Sequence, residues 1–236
     1  MRRRLLWNGL PGIGPTAPDV GQPILVIPAF LAHEAVLTRL RRTLGAAGYE
    51  ARGWGLGLNR GFREGIFDDL ERGLFDLYTE HGRRVSLVGW SLGGLFAREL
   101  AKRRPELVDR VVTLASPFSG SLRANNVWRL YERVAGHSVD ELPLGIVPNV
   151  KPPVLTIALW TRSDGAVAPA SSRGLPGERD LAYEVSCRHC DFVSHPNALR
   201  CLLEVLSIEN DAVSAYQEAI FAPRVNQCYG GIRLNS

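Results

Sequence analysis

Lysine, methionine and cysteine are scarce in this chain, and long apolar runs are absent. Of the 28 basic residues among 236, only Lys102 and Lys151 are lysine and the rest are arginine. These arginines are interleaved with 24 acidic residues, which argues against a basic stripe for nucleic acid. No apolar stretch approaches the roughly 20 residues of a bilayer-crossing helix, so no membrane span is predicted. Four cysteines are too few for a disulfide scaffold.

The remaining composition is that of an ordinary globular protein, with 45% hydrophobic and 22% charged residues. No charge block dominates, so disorder is excluded as a description of the whole chain. The length suits one well-filled α/β domain, and we expect residues 1–236 to form a single domain. The first apolar stretch breaks at Asn8 and Gly9, short of the roughly 7–15 residues of a secretory core. A cytoplasmic location is therefore the expectation.

Apolar runs alternate with amphipathic stretches along the chain, which is the pattern of a parallel sheet with crossover helices on both faces. About six strands are predicted, at 24–27, 49–54, 85–88, 111–114, 154–160 and 182–186. Helical spacing predicts helices at 35–44, 66–81, 92–104 and 197–207. The proline-rich segment at about 118–153 breaks the alternation and is predicted to be a small cap insertion. Residues 222–236 lack periodicity and are predicted to be a tail or docked extension.

One motif carries chemistry: Gly89-Trp90-Ser91-Leu92-Gly93, between a predicted strand and a predicted helix. The pattern G-x-S-x-G is weak alone and becomes specific on a strand-to-helix turn. Such a turn is tight enough to strain the backbone of Ser91 and to need glycine on either side. Its consequence is a serine hydroxyl exposed above the sheet edge, as a nucleophile requires. The alternative is a serine in an ordinary glycine-rich turn.

At this point the sequence resembles the α/β-hydrolase superfamily, in particular its small bacterial lipase-like esterases. The resemblance covers about residues 23–206 and rests on four segments in the family's order, at 27–30, 89–93, 161–165 and 187–189. It implies an α/β-hydrolase fold and a Ser-His-Asp triad whose members follow the chain order serine, acid, histidine. Ser91 would be the nucleophile of that triad.

The acid of such a triad lies just after a late strand. Asp164 follows the strand predicted at 154–160, where a loop can turn a carboxylate toward an imidazole. The alternative role for Asp164 is that of a turn former beside Gly165. Asp140 and Asp180 are the other candidate acids, and neither directly follows a strong strand.

Two histidines could be the base between the last predicted strand and the closing helix. The resemblance favours His189, because family members place the histidine directly after that strand, with a proline opening the final helix several residues later. His195 is the alternative base. It precedes Pro196, and a helix N-terminus disfavours the imidazolium that a base must become.

Two backbone N–H groups should stabilise the developing oxyanion. The resemblance implies the N–H of Leu92, after the nucleophile, and that of Phe30, in the loop after the first strand. The glycine-rich loop 55–61 resembles a segment of the same relatives. It could form a wall of the site or serve only as a turn.

The resulting prediction is a carboxylic-ester hydrolase that forms an acyl-enzyme and prefers short-to-medium acyl chains. Its substrate would be a small ester with an apolar acyl group, and no cofactor is expected. Thioesterase, lactonase, amidase or acyltransferase activity would use the same triad, and a non-catalytic binding protein is a further alternative. Cys187 and Cys190, with His195 and Cys201 nearby, could form a zinc site, but incidental cysteines are the favoured interpretation. The sequence leaves the oligomeric state open.

Overall fold

The structure, a computed structural model, describes residues 21–208 and 233–234. Its strands are β1 (Pro23–Ile27), β2 (Glu50–Gly53), β3 (Val85–Trp90), β4 (Val108–Leu114), β5 (Leu155–Trp160), β6 (Leu181–Glu184) and β7 (Arg233–Leu234). They form one sheet in the order β2-β1-β3-β4-β5-β6-β7. The first six strands pair in parallel, and β7 pairs antiparallel with β6. The predicted mostly parallel sheet of about six strands is confirmed.

Helices cover both faces of this sheet, as predicted. The α-helices are α1 (Thr38–Ala46), α2 (Ile66–His81), α3 (Leu92–Arg103), α4 (Trp128–Ala135), α5 (Pro169–Arg173) and α6 (Pro196–Leu206). Side chains of α1 and α6 share one buried cluster, and those of α2 and α3 share another. The strands contribute side chains to both clusters, because successive side chains of a strand point to opposite faces of the sheet. In β1, for example, Ile24 and Val26 belong to the first cluster, and Leu25 and Ile27 belong to the second.

Several element bounds differ from the sequence prediction for identifiable reasons. β3 runs to Trp90 rather than ending at Val88, because Gly89 and Trp90 continue the pairing with Thr113 and Leu114 of β4. The helix predicted at 35–44 begins as a 3-10 turn at Glu34–Leu37 before α1. The short helix α5 was not predicted. It begins at Pro169, whose fixed φ suits a first helical position.

The chain between β4 and β5, called the insertion below, departs from the alternation of strand and helix. This segment, residues 115–154, contains α4 and a 3-10 turn at Pro143–Gly145. The buried guanidinium of Arg98 in α3 holds its far end, donating through Nε to the Pro148 carbonyl at 2.9 Å and through Nη2 to the Val150 carbonyl at 3.2 Å. The insertion is therefore tied to the body of the protein through α3.

Some predictions concern the two ends of the chain. The strand predicted last, at 182–186, corresponds to β6 and is not the final strand, because β7 pairs along it. β7 lies within the predicted tail at 222–236, whose other residues lie outside the described part, as does the apolar stretch before residue 21. Among the described helices, none is long and apolar enough to cross a membrane.

Candidate active site

Ser91 occupies a strained turn between β3 and α3. Its backbone has φ 52° and ψ −119°, a conformation that costs a non-glycine residue about 1–3 kcal/mol. The surrounding structure holds this turn: the Ser91 N–H donates to the Leu114 carbonyl at 2.8 Å, and the Gly94 N–H donates to the Ser91 carbonyl at 3.0 Å. α3 begins at Leu92, so Ser91 sits at its N-terminal end.

Three glycines make this turn possible through close approach. A Cβ on Gly89 would overlap the Gly93 carbonyl, and a Cβ on Gly93 would lie 2.7 Å from the Pro28 carbonyl oxygen. A Cβ on Gly94 would lie 2.7 Å from the Cβ of Ser116. Side chains at these positions would force the turn away from the strands beside it. The G-x-S-x-G spacing thus has a steric origin in this protein.

Asp164 and His189 form a hydrogen-bonded pair. The Asp164 Oδ2 and His189 Nδ1 atoms are 2.9 Å apart, and the carboxylate side chain has no exposed surface. The other oxygen, Oδ1, accepts the backbone N–H groups of Ala166 and Val167 at 2.9 and 2.8 Å. Asp164 is therefore also the turn former that the sequence offered as its alternative role. The two backbone bonds fix the oxygen that faces the imidazole.

The pKa of Asp164 is set by opposing effects. Burial raises the pKa, but the hydrogen bond from His189, the backbone donors Val167 and Ala166 and the charge of His189 outweigh burial. The net pKa lies below the ordinary value for aspartate. Asp164 is therefore ionised at neutral pH and holds the proton of the imidazole on Nδ1.

Two residues that the sequence did not single out position the loop of His189. The indole Nε1 of Trp90 donates to the His189 carbonyl at 3.1 Å, which joins the end of β3 to the segment after β6. The Thr161 hydroxyl donates to the Cys187 carbonyl at 2.7 Å. His189 itself begins a 3-10 turn, His189–Val193, instead of lying in an irregular loop. Trp90 lies inside the motif that predicted Ser91, but its partner is distant in sequence.

The predicted oxyanion donors border the same cavity as Ser91, which Phe30 and Leu92 both line. Within residues 21–208 and 233–234, neither the Phe30 nor the Leu92 N–H donates to another protein group. For Leu92 this follows from its place in the first turn of α3, where N–H groups have no intrahelical acceptor. Both groups are thus available to a bound oxygen.

The cavity above Ser91 is apolar and measures about 460 Å³ with its open mouth included. The body of the protein and the insertion both line it. The body contributes Phe30, Phe62, Ser91, Leu92, Leu95 and Val167, and the insertion contributes Pro117, Leu122, Asn125, Val127, Trp128, Tyr131, Val139 and Leu142.

The start of the insertion is attached to the loop that carries Asp164. The Asn126 backbone N–H donates to the Ala166 carbonyl at 2.7 Å, and the Ala168 N–H donates to the Ala124 carbonyl at 3.0 Å. The Asn126 side-chain amide also donates to the Gly165 carbonyl at 2.7 Å. These bonds form a clamp, residues 124–126 against 165–168, between the cavity roof and the acid.

The alternative candidates lie in other settings. Asp140 is exposed and pairs with Arg123, whose Nε lies 2.8 Å from its Oδ2. Asp180 accepts the Thr156 N–H at 2.8 Å and pairs with Lys151 at 3.0 Å. His195 is the N-cap of α6, and its Nδ1 accepts the Asn197 N–H at 3.2 Å. The structure thus brings His189 to Asp164 and gives His195 a helix-capping contact.

The three cysteines in the described part of the chain do not form a metal site. Cys187 is half-buried, Cys190 is exposed and Cys201 is buried. Burial, with smaller contributions from Asp191 and Asp164, raises the pKa of the Cys187 thiol to about 12. Across the described ranges, no three His, Cys, Asp or Glu side chains are grouped so as to hold a metal ion.

Comparisons with known proteins agree with the fold. A family model described as the α/β hydrolase fold matches residues 79–177, which include β3, Ser91 and Asp164. Over 62 residues the chain is 44% identical to the biotin biosynthesis bifunctional protein BioHC of Teredinibacter turnerae. That match covers 26% of this chain and 10% of the relative, so the chain spans about a tenth of that protein's length.

Solved structures with the same fold include two lipases. The mature form of the Bacillus licheniformis lipase BlEst2 matches with a TM-score of 0.61 and 17% identity, over 80% of this chain and 93% of that one. The Paleococcus ferrophilus monoacylglycerol lipase matches with a TM-score of 0.56 and 16% identity, over 79% of this chain and 96% of that one. The fold that the sequence resemblance implies is confirmed: this chain has the α/β-hydrolase fold.

Proposed function

We propose that this protein is a serine hydrolase that cleaves carboxylic esters through Ser91, His189 and Asp164. The observation that carries the proposal is the fully buried Asp164 carboxylate, 2.9 Å from His189 Nδ1. Trp90 ties that histidine to the strand end that carries Ser91. Fold alone does not define activity, so the proposal rests on this group of side chains.

In the proposed mechanism His189 accepts the Ser91 hydroxyl proton as the serine oxygen attacks the acyl carbon. The negative charge that develops on the carbonyl oxygen is stabilised by the N–H groups of Leu92 and Phe30. His189 then protonates the leaving alcohol, and an acyl-enzyme on Ser91 remains. A water molecule, deprotonated by the same histidine, releases the acid and restores the serine. Asp164 stabilises the imidazolium at both stages.

The cavity supports an apolar acyl group as the bound part of the substrate. Apart from Ser91 and Asn125, its lining side chains are apolar or aromatic. The side-chain amide of Asn125 is already engaged with its own loop: its nitrogen donates to the Leu122 carbonyl and its oxygen accepts the Val127 N–H. We propose short-to-medium acyl chains, because side chains of the insertion line this cavity together with those of the body.

Covalent labelling tests the nucleophile. A fluorophosphonate probe should add one phosphonyl group to the wild-type protein, and the adduct should map to Ser91 by peptide mass spectrometry. The Ser91→Ala variant should show neither labelling nor hydrolysis of p-nitrophenyl butyrate. Ser172→Ala, at another buried serine, is a matched control that should keep both. Full ester hydrolysis by Ser91→Ala would refute the proposed triad, and a folded wild type without labelling or hydrolysis would favour a binding protein.

A series of p-nitrophenyl esters from acetate to palmitate tests the substrate class, and kcat/KM should be highest for butyrate to octanoate. Trp128→Ala should shift the optimum to longer chains, because its side chain lines the cavity. Leu130→Ala, on the same helix but 44% exposed, should leave the optimum unchanged. A rate that keeps rising to palmitate in the wild type would overturn the preference for shorter chains. Thioester and lactone substrates, run in parallel, distinguish the alternative reactions of the same triad.

A further inference from the structure

Asn59 belongs to the glycine-rich loop after β2 and is fully buried beside the loop that carries Phe30. We infer that Asn59 is a positioning residue for the oxyanion hole, because it holds the backbone on both sides of the Phe30 N–H. The inference rests on the proposed function and assigns a role to a loop that the sequence left open between site wall and turn.

Each polar atom of Asn59, in the backbone and in the side chain, makes a hydrogen bond. Its backbone carbonyl accepts the Leu31 N–H at 2.7 Å, and its backbone N–H donates to the Ala32 carbonyl at 3.1 Å. Its side-chain Nδ2 donates to the Pro28 carbonyl at 2.7 Å. Its side-chain Oδ1 accepts the Gly61 N–H at 3.0 Å, which fixes the rotation of the amide. One buried residue thus bonds the loop before Phe30, through Pro28, and after it, through Leu31 and Ala32.

The loop needs such external support because Phe30 cannot supply it. A backbone N–H that serves the substrate oxygen has to stay without a protein acceptor, and the Phe30 N–H has none in the described part of the chain. The next residue, Leu31, has φ 55°, a conformation that L-residues rarely adopt. Bonds from Asn59 to the residues on either side keep this strained segment in place and leave the Phe30 donor available.

The side chain has to be asparagine for a specific reason. It presents one donor to Pro28 and one acceptor to Gly61 in a site without exposed surface. Aspartate has the same shape and keeps the acceptor, but it replaces the donor with an oxygen that faces the Pro28 carbonyl. Serine keeps a hydroxyl for the Gly61 N–H but is too short to reach Pro28. Both changes therefore remove the Pro28 bond in different ways.

Loss of this bond should act on the transition state rather than on substrate binding. Removing a whole oxyanion donor lowers kcat by about 10²–10³-fold, and a misplacement of about 1 Å can cost about 10²-fold. For Asn59→Asp and Asn59→Ser we expect kcat for p-nitrophenyl butyrate to fall about tenfold to a hundredfold, with KM changed less than about twofold. The loss should come from the loop, since neither variant touches Ser91, His189 or Asp164.

The experiment measures kcat, KM and the inhibition constant of an alkyl boronic acid, whose tetrahedral adduct on serine places an oxygen in the oxyanion hole. Both Asn59 variants should lose boronic-acid affinity by a factor similar to their loss of kcat. The affinity for a non-reactive alkyl ketone should be unchanged. Asn149→Asp, at an exposed asparagine of the insertion, controls for an added negative charge and should behave as the wild type.

The outcomes separate this inference from the proposed function. If Asn59→Asp keeps kcat within threefold of the wild type, Asn59 does not position the hole. If only the aspartate variant loses activity, the effect is one of charge and the inference is wrong. If KM, ketone affinity and kcat all change together, Asn59 has only a structural role. A wild type that neither hydrolyses the ester nor binds the boronic acid would instead refute the proposed function.

Discussion

The proposed role of Asp164 leads to a quantitative expectation for Asp164→Asn, which removes one charge and keeps the shape of the side chain. Oδ1 of Asp164 accepts two backbone N–H groups, at 2.9 and 2.8 Å, and Oδ2 accepts His189 Nδ1. An asparagine whose amide nitrogen faced those backbone donors would leave both N–H groups without an acceptor. At about 1–3 kcal/mol for each buried group, that orientation is disfavoured by about 2–6 kcal/mol.

The favoured orientation therefore places the amide nitrogen toward His189. An N–H facing Nδ1 makes Nδ1 the acceptor, so the proton of the neutral imidazole moves to Nε2. His189 then offers Ser91 a donor where the reaction requires a base. In the serine protease where this change was worked out, the wrong tautomer lowers kcat by about 10⁴-fold. The same loss here corresponds to about 5 kcal/mol of transition-state stabilisation.

The assay is the hydrolysis of p-nitrophenyl butyrate at about pH 7.5, roughly one unit above the ordinary pKa of histidine. Circular dichroism establishes that the variant is folded. We expect kcat to fall about 10⁴-fold and KM to change little. Asp180→Asn is a matched control, because Asp180 also accepts a backbone N–H, that of Thr156 at 2.8 Å. This control variant should keep the wild-type activity. A folded Asp164→Asn variant within tenfold of the wild type would refute the reasoning, as would an equal loss in Asp180→Asn.

Other changes have equally definite outcomes. Gly93→Ala should lower the free energy of unfolding by about 1–3 kcal/mol in a denaturant titration, because its Cβ has no room beside β1; an unchanged midpoint would contradict the steric argument. Trp90→Phe should lower kcat about threefold to tenfold, because it removes the hydrogen bond to the His189 carbonyl. Unchanged kinetics would show that this bond does not position His189. His195→Ala should keep esterase activity but lose about 1 kcal/mol of stability as an N-cap, whereas His189→Ala should be inactive. Because folding lowers the pKa of Asp164, its charge stabilises the fold above the unfolded pKa and this contribution disappears as pH falls through the folded pKa. The stability difference between wild type and Asp164→Asn, followed by thermal unfolding, should therefore shrink in acid; a difference that grew would contradict the lowered pKa.

Much of the architecture could be predicted, because its strands and helices show the hydrophobic patterns that are typical of each. The alternation of apolar runs with helical periodicity predicted the parallel strands, and α2 has the same bounds in the structure as in the prediction, Ile66–His81. The G-x-S-x-G spacing predicted the turn at Ser91, since glycine is required there by backbone atoms close in sequence and in the adjacent strand. These features depend on short-range patterns that a single sequence displays.

The supporting contacts of the candidate site could not be predicted in the same way. The Trp90 indole reaches a carbonyl 99 residues later, and the Asn59 amide reaches one 31 residues earlier. Neither residue type predicts a hydrogen bond to a distant carbonyl, because tryptophan in a strand usually packs in a core and asparagine beside glycine usually forms a turn. β7 was also missed, because two residues are too few to show a periodicity.

The clamp between residues 124–126 and 165–168 has a consequence for altering this protein. The roof of the cavity and the loop that aligns Asp164 share a short bridge of backbone bonds, so they cannot be exchanged independently. An insertion transplanted from another protein of this fold would have to begin after Asn126, so that the native hydrogen bonds to the Asp164 loop are kept. A graft that starts at Phe118 would replace residues 124–126, which bond the loop at Ala166. It would therefore disturb Asp164, the hydrogen-bond partner of His189, even without substrate. Changes in substrate preference are therefore best sought beyond Asn126, in α4 and the residues that follow it.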